Sequence, residues 1–270
     1  MSTIDANLLI GELLKLKSQN EQELRNDLPF LYDLGIITWG IHMLVSVIIV
    51  AIAHRWFTSL KWNRKIVYFA IHSLVNTIIV IRTMYIAKMA IVDPIRIFIE
   101  YTVLDPLPMC LTIVVHAYHT WREQRSLKLI DLIHHIPMIC IVIPSSFCTV
   151  PGYILNLAHF FIMGLPGAID YFLLTMVSLG HIDKMREKRI NMYLNVYIRS
   201  PGLIIVSYLG IIQNSILRSI DPQFDEIRLI LRYIVIIGFY WNGQFFMNDA
   251  VQSYVYNNVL SLFESKKERI

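Results

Sequence analysis

The sequence predicts an all-α, polytopic membrane protein: a helical bundle or barrel of seven transmembrane helices, N-terminus lumenal or outside and C-terminus cytoplasmic. Three observations predict it. The 270 residues are 56% hydrophobic and only 16% charged, with a mean hydropathy of +0.53, an apolar excess that a soluble core does not need. Seven apolar runs approach the ~20 residues that a helix needs to cross the hydrocarbon layer. Basic residues also alternate from one connection to the next, as they do when Lys- and Arg-rich loops stay cytoplasmic.

The first 33 residues form a polar N-terminal tail of mixed charge without a signal-peptide apolar region, so the first span reads as an uncleaved anchor. The membrane domain covers 34–252, with spans at 34–53, 66–92, 95–118, 129–150, 153–179, 203–220 and 229–252, and a cytoplasmic tail fills 253–270. Arg55, Lys61, Arg64 and Lys65 follow the first span, Arg122, Arg125 and Lys128 the third, and Lys184, Arg186, Lys188 and Arg189 the fifth; Lys266, Lys267 and Arg269 end the chain. The other side holds Lys15, Lys17, Arg25 and Arg96. This asymmetry accounts for the net charge of +4, and no nucleic-acid partner is needed to explain it. Cys110, Cys140 and Cys148 lack metal-type spacing and read as small core residues.

Polar residues inside these runs carry the functional information, because ionisable groups are costly in lipid. Arg82 and Asp105 lie at nearly equal distances from the turn at Asp93-Pro94 and can form a structural ion pair across the hairpin. His72, His116, His119, Asp131, the adjacent His134 and His135, Asn248 and Asp249 all fall toward the cytoplasmic ends of their spans. Pro106, Pro108, Pro137, Pro144 and Pro166 are expected to kink their helices. His159 and Asp170 are eleven residues apart and would share a face of a straight helix, but Gly164-Leu165-Pro166-Gly167 intervenes, either as a packing kink or as a break lining a pocket. Asn191, Asn195 and Arg199 recur every four residues beside Tyr193 and Tyr197, which reads as an interfacial helix, and Ser200-Pro201 reads as the cap and first turn of the next one.

A histidine in a low-dielectric cleft can serve as a general base or a transient acyl acceptor when a neighbour such as an Asp orients it. On this reading His134, His135, Asp131 and Asp170 are candidate catalytic residues, and His72, His116, His159, Asn248 and Asp249 are candidate substrate-binding residues. The HxxH and HH pairs do not make a metal signature, and no Gly-rich phosphate loop, GxSxG or HExxH occurs, so neither a metal nor a resident cofactor is expected.

The stretch SLKLIDLIHHIPM, residues 126–138, resembles the basic loop, Asp and His-His helix entry of the TLC domain family, which includes ceramide synthases and lipid-regulating membrane proteins without that activity. The resemblance covers approximately 63–256. It implies a helical barrel open toward the cytosol, an endoplasmic-reticulum membrane, membrane lipids as partners, and binding, sensing or modification of acyl-chain lipids. Acyl-CoA is then the co-substrate of any acyl transfer at His134 and His135. The later Asp-x-x-Asp element of ceramide synthases is not evident: the segment reads GLPGAIDYFLL, with Asp170 as at best one half. Fatty-acid elongases are similar in layout, but their HxxHH is absent. A seven-helix receptor or a non-enzymatic membrane-organising protein also fits seven spans, and oligomers are compatible with all these readings.

Overall fold

Asn63 opens the second helix by accepting a hydrogen bond from the Ile66 backbone N–H, satisfying one of the donors a helix start leaves open. Asp105 and Asp183 do the same ahead of two later helices in the computed structural model, which describes residues 35–93, 105–123, 153–220 and 226–267. The elements are α1 (Gly35–Ser59), α2 (Arg64–Val92), α3 (Pro106–Glu123), α4 (Tyr153–His159), α5 (Leu165–Ser178), α6 (Lys184–Leu194), α7 (Ser200–Ile220) and α8 (Glu226–Lys267). Five-residue π-helical turns, Phe160–Gly164 and Asn195–Arg199, join α4 to α5 and α6 to α7. No strand occurs among the described residues.

Five helical stretches are long and apolar enough to cross a membrane: Gly35–Ser59, Arg64–Val92, Ile154–Ser178, Lys184–Ser215 and Leu229–Leu260. They fit an integral, multi-pass membrane protein. Exposed Ile41, Leu44, Ile48 and Ile52 on α1, and Ile204, Ile205 and Tyr208 on α7, present the apolar surface that a bilayer covers. Of the third expected run, 95–118, the structure describes 105–118, at the start of and within α3, which is not among these five stretches; the fourth, 129–150, lies outside the described residues.

Contacts fix the relative directions. Arg82 meets Asp105 and Tyr68 meets His119, so α2 and α3 are antiparallel. His72 meets Tyr171 and Gly164 abuts Ile79 and Val80, so the α4–α5 stretch also runs against α2. Glu123 and Tyr153 therefore lie at opposite ends of α2. Buried Val67, Ile71, Val75 and Ile79 of α2 pack with Val50 and Ala53 of α1 and Leu111 and Val115 of α3. A second cluster joins Leu157 and Ala158 to Leu203 and Val206 of α7 and Val235 and Phe239 of α8. Burying a side chain of this size fully from water is worth about 1.5–3 kcal/mol; against lipid, close packing matters more.

One sequence expectation needs correction. Ser200-Pro201 does not start a helix, because the chain is helical from Lys184 to Ile220. Proline lacks an N–H and its ring crowds the carbonyl four residues back, and the π-turn just before Pro201 accommodates both effects without ending the helix. The helix that holds the seventh expected span, α8, continues past residue 252 to Lys267.

Candidate functional site

The turn after α5 sets up the site. Gly180 adopts φ +80° and closes the helix with Gly180 N–H to Val177 O at 3.0 Å and His181 N–H to Met176 O at 2.9 Å, a left-handed end that glycine adopts without strain. Asp183 then caps α6 by accepting from the backbone N–H groups of Met185 and Arg186. This reversal brings Glu187 back to Asp170.

Two polar groups meet here. In the first, Tyr68 and His72 of α2, His119 of α3 and Tyr171 of α5 form a cluster of rings. Centroids lie 4.1 Å apart for Tyr68 and His72, 4.8 Å for Tyr68 and His119, and 4.7 Å for His72 and Tyr171. The Tyr68 and Tyr171 hydroxyls are 3.4 Å apart. In the second group, the carboxyl groups of Asp170 and Glu187 are in direct polar contact, with Arg199 in electrostatic reach of Asp170. Arg199 Nη1 donates to Asn195 Oδ1 at 2.8 Å, and its guanidinium lies 4.7 Å from the Phe246 ring centre. Lys188 stands 3.5 Å from Glu187. Asp170 and Tyr171, consecutive on α5, join the two groups.

His72, His116 and His159 share one orientation. Nδ1 of His72 faces Tyr68 O at 2.9 Å, Nδ1 of His116 faces Thr112 O at 2.8 Å, and Nδ1 of His159 faces Leu155 O at 2.7 Å. A carbonyl only accepts, so each Nδ1 carries the hydrogen, and a neutral ring keeps its lone pair on Nε2. Backbone carbonyls of the preceding helical turn orient these three rings. An Nε2 so arranged can accept a hydrogen bond or a proton from a hydroxyl or amine.

Buried Asp170 Oδ1, Glu187 Oε1 and Arg199 Nε make no hydrogen bond. Neither atom of the Asn76 carboxamide makes one, although Asn76 is fully buried. Unsatisfied buried polar atoms cost about 1–3 kcal/mol each, and in native proteins they call for a ligand, water or functional explanation.

The expected residues separate accordingly. His134, His135 and Asp131 lie outside the described residues. His72 and Asp170 enter the site, with His119 beside them. His116 and buried His159 sit within electrostatic reach of one another. The His159-to-Asp170 stretch is not a straight helix: a π-turn inserts roughly one extra residue, about 100° of rotation, between them. Asn248 and Asp249 are both exposed on α8, and Asn248 accepts from Gln252 at 3.3 Å on the same helix, so the structure does not bring them into this site. Arg82 Nε donates to Asp105 Oδ2 at 2.6 Å, while Asp105 Oδ1 accepts from Leu107 N–H at 3.1 Å. No group of three or more metal-type side chains occurs among the described residues.

Sequence reasoning missed Tyr68, Tyr171 and Glu187. A signal for Glu187 was present: the four-residue stripe of Asn191, Asn195 and Arg199 extends back to it. No protein-family model, curated protein or solved structure matches the chain.

Proposed function

We propose that this chain is a seven-span, TLC-like membrane protein that binds, senses or modifies acyl-chain lipids at the basic-loop end of its bundle. One observation carries the reading. The ring cluster of Tyr68, His72, His119 and Tyr171 adjoins Asp170, Glu187 and Arg199, whose open polar atoms are buried among helices apolar enough to span a bilayer. A lipid supplies both requirements: a polar head for the open atoms and an acyl chain for the apolar helices. The opposite ends reached by Glu123 and Tyr153 support a further crossing between them, hence seven spans. The alternating basic loops support a lumenal N-terminus and cytoplasmic C-terminus, and the family resemblance points to the endoplasmic reticulum.

His134 and His135 would complete the site from the fourth span, with acyl-CoA as co-substrate if it transfers an acyl group. The test is mass spectrometry of co-purified lipid, with cellular lipidomics, for His72→Ala, His134→Ala and His135→Ala. Altered bound lipid or lipid output at near-wild-type expression and melting temperature is expected. Unchanged lipid in all three would remove the proposal. Histidine-dependent release of CoA from a long-chain acyl-CoA, with amine and hydroxyl acceptors present, would mark an acyltransferase; binding without turnover would mark a sensor. The missing second acidic element predicts no ceramide product.

A further inference from the structure

A third polar group lies between α1 and α3. His54 Nδ1 is 3.1 Å from the Tyr118 hydroxyl, and Arg122 Nη1 lies 3.3 Å from His54 Nδ1 and 3.4 Å from Nε2. The guanidinium carbon is 5.8 Å from the Tyr118 ring centre. Arginine only donates, and a neutral His54 ring carries one N–H and one accepting nitrogen. The group is therefore rich in donors.

No carboxylate among the described residues pairs with Arg122, and its Nε is buried without a hydrogen bond. Arg122 complements the C-terminal dipole of α3, but that role needs only a nearby charge and leaves the buried Nε unexplained. The location is informative as well. Trp121 is 72% exposed and Trp56 is 64% exposed; both stand beside this group at the ends of apolar helices, as indoles do in the headgroup layer. Exposed Arg55 and the Lys61, Arg64 and Lys65 connection place further positive charge close by.

We propose that His54, Tyr118 and Arg122 form a phosphate-binding site that takes the headgroup of an anionic lipid from the surrounding leaflet. A planar guanidinium with an open Nε–H matches phosphate geometry, and the N–H of the adjacent imidazole supplies another donor. A phosphodiester or phosphomonoester provides the acceptor oxygens that no described residue provides. This site does not depend on the chemistry proposed at Tyr68 and His72.

The test is native mass spectrometry of the full chain in neutral detergent, titrated with short-chain phosphatidic acid, with phosphatidylcholine of equal chain length, or with inorganic phosphate alone. One phosphatidic acid retained per chain is expected, about tenfold better than phosphatidylcholine. Arg122→Gln should lose most of that preference, whereas Arg122→Lys should keep part of it. If Arg122→Gln does not fold, His54→Leu tests the same preference from α1. Competition by millimolar inorganic phosphate would assign the site to a soluble phosphate and overturn the lipid source. Full headgroup preference in both the Arg122 and the His54 variant would overturn the site itself.

Discussion

The segments 160–167 and 195–202 follow one local plan and put it to different uses. Each is a five-residue π-turn, one further residue, a proline and then a glycine pressed onto a neighbour: Gly167 onto Asn76, Gly202 onto the Phe161 ring. In both, the carbonyl four residues before the proline, that of Ile162 or Tyr197, falls inside the turn, where the wider hydrogen-bonding pattern relieves the proline clash. The first turn, Phe-Phe-Ile-Met-Gly, is apolar and serves packing; the second, Asn-Val-Tyr-Ile-Arg, carries Asn195 and Arg199 toward the buried carboxyls. One irregularity thus shapes the bundle in one helix and delivers a charge in the other. The two are also joined, since Phe161 of the first touches Gly202 of the second.

Breaking that joint should have the largest effect. In Gly202→Ala the new methyl would collide with the body of the Phe161 ring, so a loss of about 1–3 kcal/mol is expected, read as a lower melting temperature in detergent. Phe161→Ala in the same background should lose less than the sum of the single changes, because the cavity receives the methyl. Strict additivity would mean that the two turns do not bear on one another.

Gly167→Ala should cost less, about 1 kcal/mol, because its methyl would lie 2.5 Å from Asn76 Nδ2, the end of a side chain with no hydrogen bond to lose. Asn76→Ala should restore most of that loss. Asn76→Leu alone should raise the melting temperature of lipid-free protein, since it removes two open polar atoms. A decrease would show that the carboxamide is satisfied in the folded protein.

These turns also mark where sequence reading stopped. Apolar run length made α1, α2, α5 and α8 legible, and equal depth brought Arg82 to Asp105, because both signals survive small changes of helix phase. The π-turns left no such trace: an extra residue in a turn is invisible to hydropathy, yet it rotates everything after it. The pairing of His159 with Asp170 therefore did not follow from their spacing, and Ser200-Pro201 read as a helix start. Glu187 was hidden differently. It sits in Lys-Met-Arg-Glu-Lys-Arg, where composition says water, and only the fold turns its side chain inward to 1% exposure. Asn248 and Asp249 had the right depth, but depth does not say which side of a helix faces the bundle.

The Arg82 and Asp105 pair sharpens the comparison from outside, because its charges are matched where those of the second turn are open. Arg82 is 50% exposed, so screening limits the pair to about 1 kcal/mol in detergent. Asp105→Asn should show that loss, with a small part from weaker capping of α3 at Leu107. Arg82→Gln should add little in the Asp105→Asn background, and fully additive losses would mean that the contact contributes nothing.

The smallest effect on stability should come from Tyr171→Phe. Its hydroxyl is 3.4 Å from that of Tyr68, long for an O–H···O bond, so losing that contact should change stability by less than about 0.5 kcal/mol. The ring contacts with Tyr68 and His72, at 5.9 and 4.7 Å, stay in place. The same oxygen lies within electrostatic reach of Arg199, the charge that the second turn delivers. If a lipid head lies there, Tyr171→Phe should weaken lipid retention several-fold while the melting temperature holds, separating recognition from folding. Lipid retention and melting temperature that both stay at wild-type values would place the lipid head elsewhere and leave Tyr171 a packing residue.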